Sequence, residues 1–83
     1  MENTFVVIGG KWFDKINGNT YHSAKIIDQN GNKYYTRFCY GYGSQYITSA
    51  KEYIETTLGL SAYKIIDGGS FYMNKKEVKN GWF

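Results

Sequence analysis

The stretch Thr20–Tyr40, TYHSAKIIDQNGNKYYTRFCY, decides the fold. It holds two runs rich in Tyr, Ile, Thr and Phe, residue types that fit a pleated surface, on either side of Asn30-Gly31. Asn-Gly is a strong two-residue hairpin signal because both central positions of a type I′ turn need positive φ. Such a turn pairs Asp28 with Lys33, Ile27 with Tyr34, Lys25 with Thr36, Ala24 with Arg37, Ser23 with Phe38, His22 with Cys39 and Tyr21 with Tyr40. The opposite charges of Asp28 and Lys33 agree with this register. One face then carries Tyr21, Ser23, Lys25, Ile27, Tyr34, Thr36, Phe38 and Tyr40, and the other His22, Ala24, Ile26, Tyr35, Arg37 and Cys39.

Upstream, Thr4–Lys15 reads as a further strand, bent or bulged at Gly9-Gly10, that turns back through Asn17-Gly18-Asn19. A two-residue turn there puts Trp12 on the face of Tyr21, and Lys11, Phe13 and Lys15 beside His22 and Arg37. A three-residue loop would reverse the whole first strand, because a one-residue slip moves every side chain across the sheet. Downstream, Ile47, Ala50, Ile54 and Leu58 recur at helical spacing with Lys51, Glu52 and Glu55 on other faces, so Ile47–Leu58 reads as an amphipathic helix. Ser44, or Ser49 with Glu52 three residues on, marks its start, and Gly59 suits the left-handed residue that ends it. Ala62–Ile66 and Phe71–Met73 flank Asp67-Gly68-Gly69-Ser70 and read as a second hairpin. Asn74, with Glu77 three residues later, caps one last helical turn.

The expected architecture is α+β: an antiparallel sheet with one helix packed on one face, in the order β-β-β-α-β-β. The face of Tyr21, Phe38 and Tyr40 has more large apolar surface, so the helix is expected there, with Ile47, Ala50, Ile54 and Leu58 resting on Tyr34, Phe38 and Tyr40. The open face then mixes cations and rings: Lys11, Phe13, Lys15, His22, Tyr35 and Arg37.

Eighty-three residues, 42 % of them hydrophobic, are expected to form a single domain, 1–83, with little room for a deep cavity. Ten Lys/Arg against seven Asp/Glu leave a net charge of +3, a mild excess that excludes a strongly acidic mimic of DNA. The only cysteine, Cys39, has no intrachain partner, and with the only histidine, His22, it falls short of a four-ligand zinc site. No metal and no cofactor are therefore expected. The longest apolar run, Phe5–Ile8, is far shorter than the ~20 residues of a membrane span, and no positively charged leader precedes it. A cytoplasmic protein without membrane contact is expected, and a free thiol agrees with a reducing compartment.

Two surfaces are candidates for function. On the open face, Lys11, Lys15 and Arg37 suit phosphates while Phe13 and Tyr35 suit stacked bases. The competing reading is a solvated sheet side whose long cationic stems cover the rings. The same residue types also dominate protein interfaces. In Tyr40–Tyr46, YGYGSQY, the two glycines follow no parallel strand and lack the further glycine of a dinucleotide fingerprint. They instead turn the chain sharply and display Tyr42 and Tyr46, large rigid surfaces that are ordered at low entropic cost. His22 opposite Cys39 is an ordinary cross-strand pair without an orienting carboxylate, and the spacing of Asp14, Asp28, Glu52, Glu55 and Asp67 suggests no paired acid and base. No enzyme is expected. The candidate partner-binding residues are Lys11, Phe13, Lys15, Tyr35, Arg37, Tyr42 and Tyr46.

At Trp12–Ser23, WFDKINGNTYHS, and at Tyr40–Tyr46, YGYGSQY, the chain resembles a family of small proteins encoded by bacteriophages and other mobile elements. The resemblance spans about the first two-thirds of the chain. It implies an inhibitor of host defence, a class that includes the anti-CRISPR proteins. Its partner would be a host defence protein or ribonucleoprotein complex in the bacterial cytoplasm. The alternative is a small DNA- or RNA-binding module that uses the open face of the sheet. Sheet edges with neither proline nor dense charge leave a homo-oligomer open as well.

Overall fold

The computed structural model describes residues 3–41, 45–74 and 78. Strands β1 (Asn3–Asp14), β2 (Asn19–Asp28), β3 (Lys33–Tyr35) and β4 (Cys39–Tyr40) precede helix α1 (Gln45–Thr56), and β5 (Tyr63–Tyr72) follows it. The strands form one five-stranded sheet ordered β3-β2-β1-β5, with β4 also on β2. The α+β class with one helix is as expected, but the sheet is mixed. β2 runs antiparallel to β1, β3 and β4, whereas β5 runs parallel to β1.

The second hairpin does not form. Ala62–Ile66 and Phe71–Met73 were expected as its two arms, yet Tyr63–Tyr72 is one strand that passes straight through Asp67-Gly68-Gly69-Ser70. Gly69 takes φ +90°, and the Asp67 carboxylate accepts its N–H at 2.8 Å. The extra residue is absorbed as a bulge where Val7 pairs with Asp67 and Gly9 with Ser70. The bulge expected at Gly9-Gly10 therefore lies in the facing strand, since β1 pairs with β2 without interruption from Phe5 to Asp14. A long β1 with a free edge satisfies more backbone groups along one ten-residue strand than a short hairpin could on its own.

Both antiparallel turns differ from the expected two-residue form. Asp14 pairs with Asn19 across the four residues 15–18, and the Asp14 carboxylate accepts the N–H groups of Ile16 and Asn17. This is a two-residue shift from an Asn-Gly turn, so Trp12 still shares the face of Tyr21, and the shift sets the two directly opposite. At the second turn only Gly31 has positive φ, +87°, which excludes the type I′ conformation at Asn30. Asp28 accepts the N–H groups of Asn30 and Asn32, both at 2.9 Å, and its backbone N–H meets the Asn32 carbonyl. The result is a three-residue loop with a left-handed glycine, and it slips β3 by one: Ile27 faces Lys33, Ile26 faces Tyr34 and Lys25 faces Tyr35. The irregular residues 36–38 restore the count, so His22–Cys39 and Tyr21–Tyr40 pair as the sequence predicts.

The helix covers the face that was expected to be open. Phe5, Val7, Ala24 and Ile26 of the sheet and Tyr46, Ala50 and Ile54 of α1 form the buried core, with Ile47 and Leu58 packed at its margin. Small side chains explain the choice. A Cβ on Gly9 would lie 2.5 Å from the Tyr46 ring, so this glycine and Ala24 let α1 approach the sheet closely. Trp12, Phe38 and Tyr40, expected beneath the helix, lie on the opposite face. Tyr34 does pack beside the helix, its ring 6.1 Å from that of Tyr53, because the slip of β3 offsets the exchange of faces. Gly59 is left-handed as expected, and Leu60 N–H bonds back to the Ile54 carbonyl. Ser44 and Glu77 lie outside the described residues. Of the expected last turn, Val78 N–H meets the Asn74 carbonyl at 3.2 Å. Among the described residues no helix is long and apolar enough to cross a membrane.

Candidate binding surface

Helix α1 begins over Gly9 and His22, so the β1–β2 hairpin from Trp12 to Tyr21 extends beyond it, and the molecule is elongated, 46 × 22 × 19 Å. This end is sheathed in rings. On the face opposite α1, Tyr21 stacks on Phe38 with centroids 5.0 Å apart and planes 9° apart. Trp12 lies 5.7 Å from Tyr21, and Tyr40 meets Tyr21 edge to face at 5.8 Å. Tyr40 is 63 % exposed. The backbone explains the cluster: Trp12, Tyr21 and Tyr40 share one row across β1, β2 and β4.

On the α1 side of the same end, Lys11 pairs with Tyr72 of β5 and places its ammonium 4.9 Å from the centre of that ring. Phe13, two residues on, shares this face. Phe13 is 44 % exposed and Tyr72 65 %. Lys15 is exposed in the loop that follows, beside Ile16, which is 93 % exposed.

The sequence-predicted residues divide into two groups. Lys11, Phe13 and Lys15 lie along the projecting hairpin. Tyr35 and Arg37 line a groove of about 360 Å³ between α1 and the β3–β4 side of the sheet, together with Cys39, Ser49, Glu52 and Tyr53. Helix α1 packs over His22 and Ala24 of β2, between the groups, so the single open basic-aromatic face does not assemble. Tyr46 is not displayed: it is buried on Gly9, and its hydroxyl donates to Asp67 at 2.8 Å. Tyr42 lies outside the described residues. Sequence reasoning missed Tyr72, which reaches Lys11 only because β5 runs parallel to β1 rather than folding back.

His22, expected on an open face, is 2 % exposed under α1. Its Nε2 is 2.6 Å from Ser49 Oγ and its Nδ1 3.3 Å from the Gly41 carbonyl. A carbonyl can only accept, so Nδ1 carries the proton and the Ser49 hydroxyl donates to Nε2. The residue expected to open a capping box is thus an interior helix residue that ties α1 to β2. Burial holds the His22 pKa below its ordinary value, against the opposing effect of the Gly41 bond.

Several tyrosines serve the interior. The Asp67 carboxylate is held below the usual carboxylate range by Gly69 N–H and then by Tyr46 O–H, while burial and the Asp67 bond raise the Tyr46 phenol. Tyr63 donates to Glu55, and that bond, with burial, pushes its pKa up to about 12. These phenols brace α1 against β5. Among the described tyrosines, the two most exposed, Tyr40 and Tyr72, stand at the projecting end. Compared with known proteins, the chain matches no family model, no curated protein and no solved structure.

Proposed function

We propose that the protein is a non-enzymatic inhibitor that binds a host defence complex of the CRISPR type through its ring-sheathed end. The observation that supports this reading is the cluster of Trp12, Tyr21, Phe38 and Tyr40, with Tyr40 63 % exposed against Tyr21, which Trp12 and Phe38 brace. Rigid aromatic side chains of this kind carry most of the energy in protein interfaces, because they bury large area while giving up few rotamers. The partner class follows from the resemblance at Trp12–Ser23 and Tyr40–Tyr46. The non-enzymatic part is supported by His22, whose ring nitrogens are both hydrogen-bonded within the core.

The test is phage plating on bacteria that carry one CRISPR system each and express the chain. Restored plaque formation with one system, and its loss in Tyr40→Ala at unchanged protein level, is the expected result. Unrelieved immunity in every system, or full relief by Tyr40→Ala, rejects the proposal.

A further inference from the structure

We propose that the α1-side face of the projecting hairpin, Phe13 and Tyr72 with Lys11 and Lys15, is a binding site for single-stranded nucleic acid. The site is distinct from the ring cluster on the opposite face, and its test does not depend on a defence complex. Phe13 on β1 and Tyr72 on β5 stand on one face of adjacent strands, and both rings are substantially exposed. Two exposed rings on a sheet form a stacking platform for successive unpaired bases, since every base has a π-face. Lys11 Nζ lies over one face of the Tyr72 ring, 4.9 Å from its centre, in a cation–π contact, so a base stacks on the other face with the ammonium close to its phosphate.

Charge supports the same occupant. Lys15 follows Phe13 by two residues and is exposed. The acid between them, Asp14, directs its carboxylate into its own loop, onto Ile16 N–H at 3.0 Å, Asn17 N–H at 3.3 Å and the Asn17 side-chain amide at 2.8 Å. The other described acids, Asp28, Glu52, Glu55 and Asp67, lie on the helix-covered part, in the groove or at the bulge. A polyanion meets two lysines here and no outward-facing described carboxylate. A duplex keeps its bases stacked and unavailable to Phe13 and Tyr72, so the site selects single strands.

The test is fluorescence anisotropy of fluorescein-labelled oligo(dT) and oligo(U) of about 12 nucleotides, with a duplex of the same length as control. Single strands are expected to bind, and the duplex more weakly. With two phosphates neutralised, log K should fall against log salt with a slope of roughly −1.4, reduced by about half in Lys11→Gln or Lys15→Gln. Phe13→Leu and Tyr72→Leu keep the apolar bulk and remove the π-face, and each is expected to weaken binding roughly 5- to 150-fold. Both positions are exposed, and far-UV circular dichroism checks that the variants fold. Absence of any anisotropy rise, tighter binding of the duplex, or wild-type affinity in both leucine variants overturns the proposal. The relative affinities of the two oligomers then show whether DNA or RNA is preferred.

Discussion

The two ends of the sheet are built from the same strands and do opposite things. From Phe5 to Gly9, β1 and its partners place Val7, Ala24 and Ile26 under α1 with no exposed area. From Lys11 onward the same strands carry Trp12, Phe13, Tyr21 and Tyr72 past the helix. The covered end uses small and aliphatic side chains because a helix needs a shallow surface to lie on. The projecting end lies beyond α1 and carries rings. Stability is therefore concentrated at one end, and the surface for recognition at the other.

The sharpest test of that division is truncation on each side of it. Ile54→Ala, at a position with no exposed area, is expected to cost about 2–5 kcal/mol, read as a lower urea midpoint. Ile16→Ala, at the hairpin tip, should stay within about 0.5 kcal/mol of wild type. Equal losses at both sites would mean that the projecting end also packs a core. Next in size is Gly9→Ala, which sets a methyl against the Tyr46 ring and is expected to cost roughly 1–3 kcal/mol through forced repacking. An unchanged thermal midpoint would show that α1 can rise off the sheet freely.

The smallest effect concerns pH. His22 is held neutral by burial, so its folded pKa lies below the ordinary 6.5. Below that value the unfolded chain binds a proton that the folded chain refuses, so stability is expected to fall as pH drops beneath about 6.5 and to level off below the folded pKa. Urea titrations at several pH values, with His22→Gln as control, read the slope. A flat profile in the wild type would mean that His22 is solvated and that the helix does not seal this row.

Much of the fold was legible. The order of the first hairpins and the α1 segment with Ala50 and Ile54 inward follow from periodicity and turn residues, whereas the pairs His22–Cys39 and Tyr21–Tyr40 match the expectation because residues 36–38 take back the one-residue slip of β3. The faces were not, because both are apolar. Val6 and Ile8 alternate with Phe5 and Val7, so hydrophobicity does not say which set meets a helix. Counting large rings pointed to Tyr21, Phe38 and Tyr40, whereas close approach at Gly9 and Ala24 decided it. Of the candidate residues, Lys11, Phe13 and Lys15 lie together along the projecting hairpin, as their spacing suggested. Tyr35 and Arg37 line a separate groove because α1 lies over His22 and Ala24, between them and β1. Tyr72 could not be found, because nothing local marks a strand that will run parallel to one about sixty residues earlier.

By itself, the sequence determined the strand segments of the first hairpins, the helix, the regions where those hairpins turn, and that rings are plentiful and acids few. These are short-range properties of φ preference, side-chain shape and periodicity. Only the tertiary structure decided which face the helix covers, that Gly68-Gly69 is a bulge and not a turn, and which tyrosines brace the core and which are exposed. Those outcomes depend on fitting distant surfaces together at contact distance and on satisfying the free edge of β1. No window along the chain contains that information.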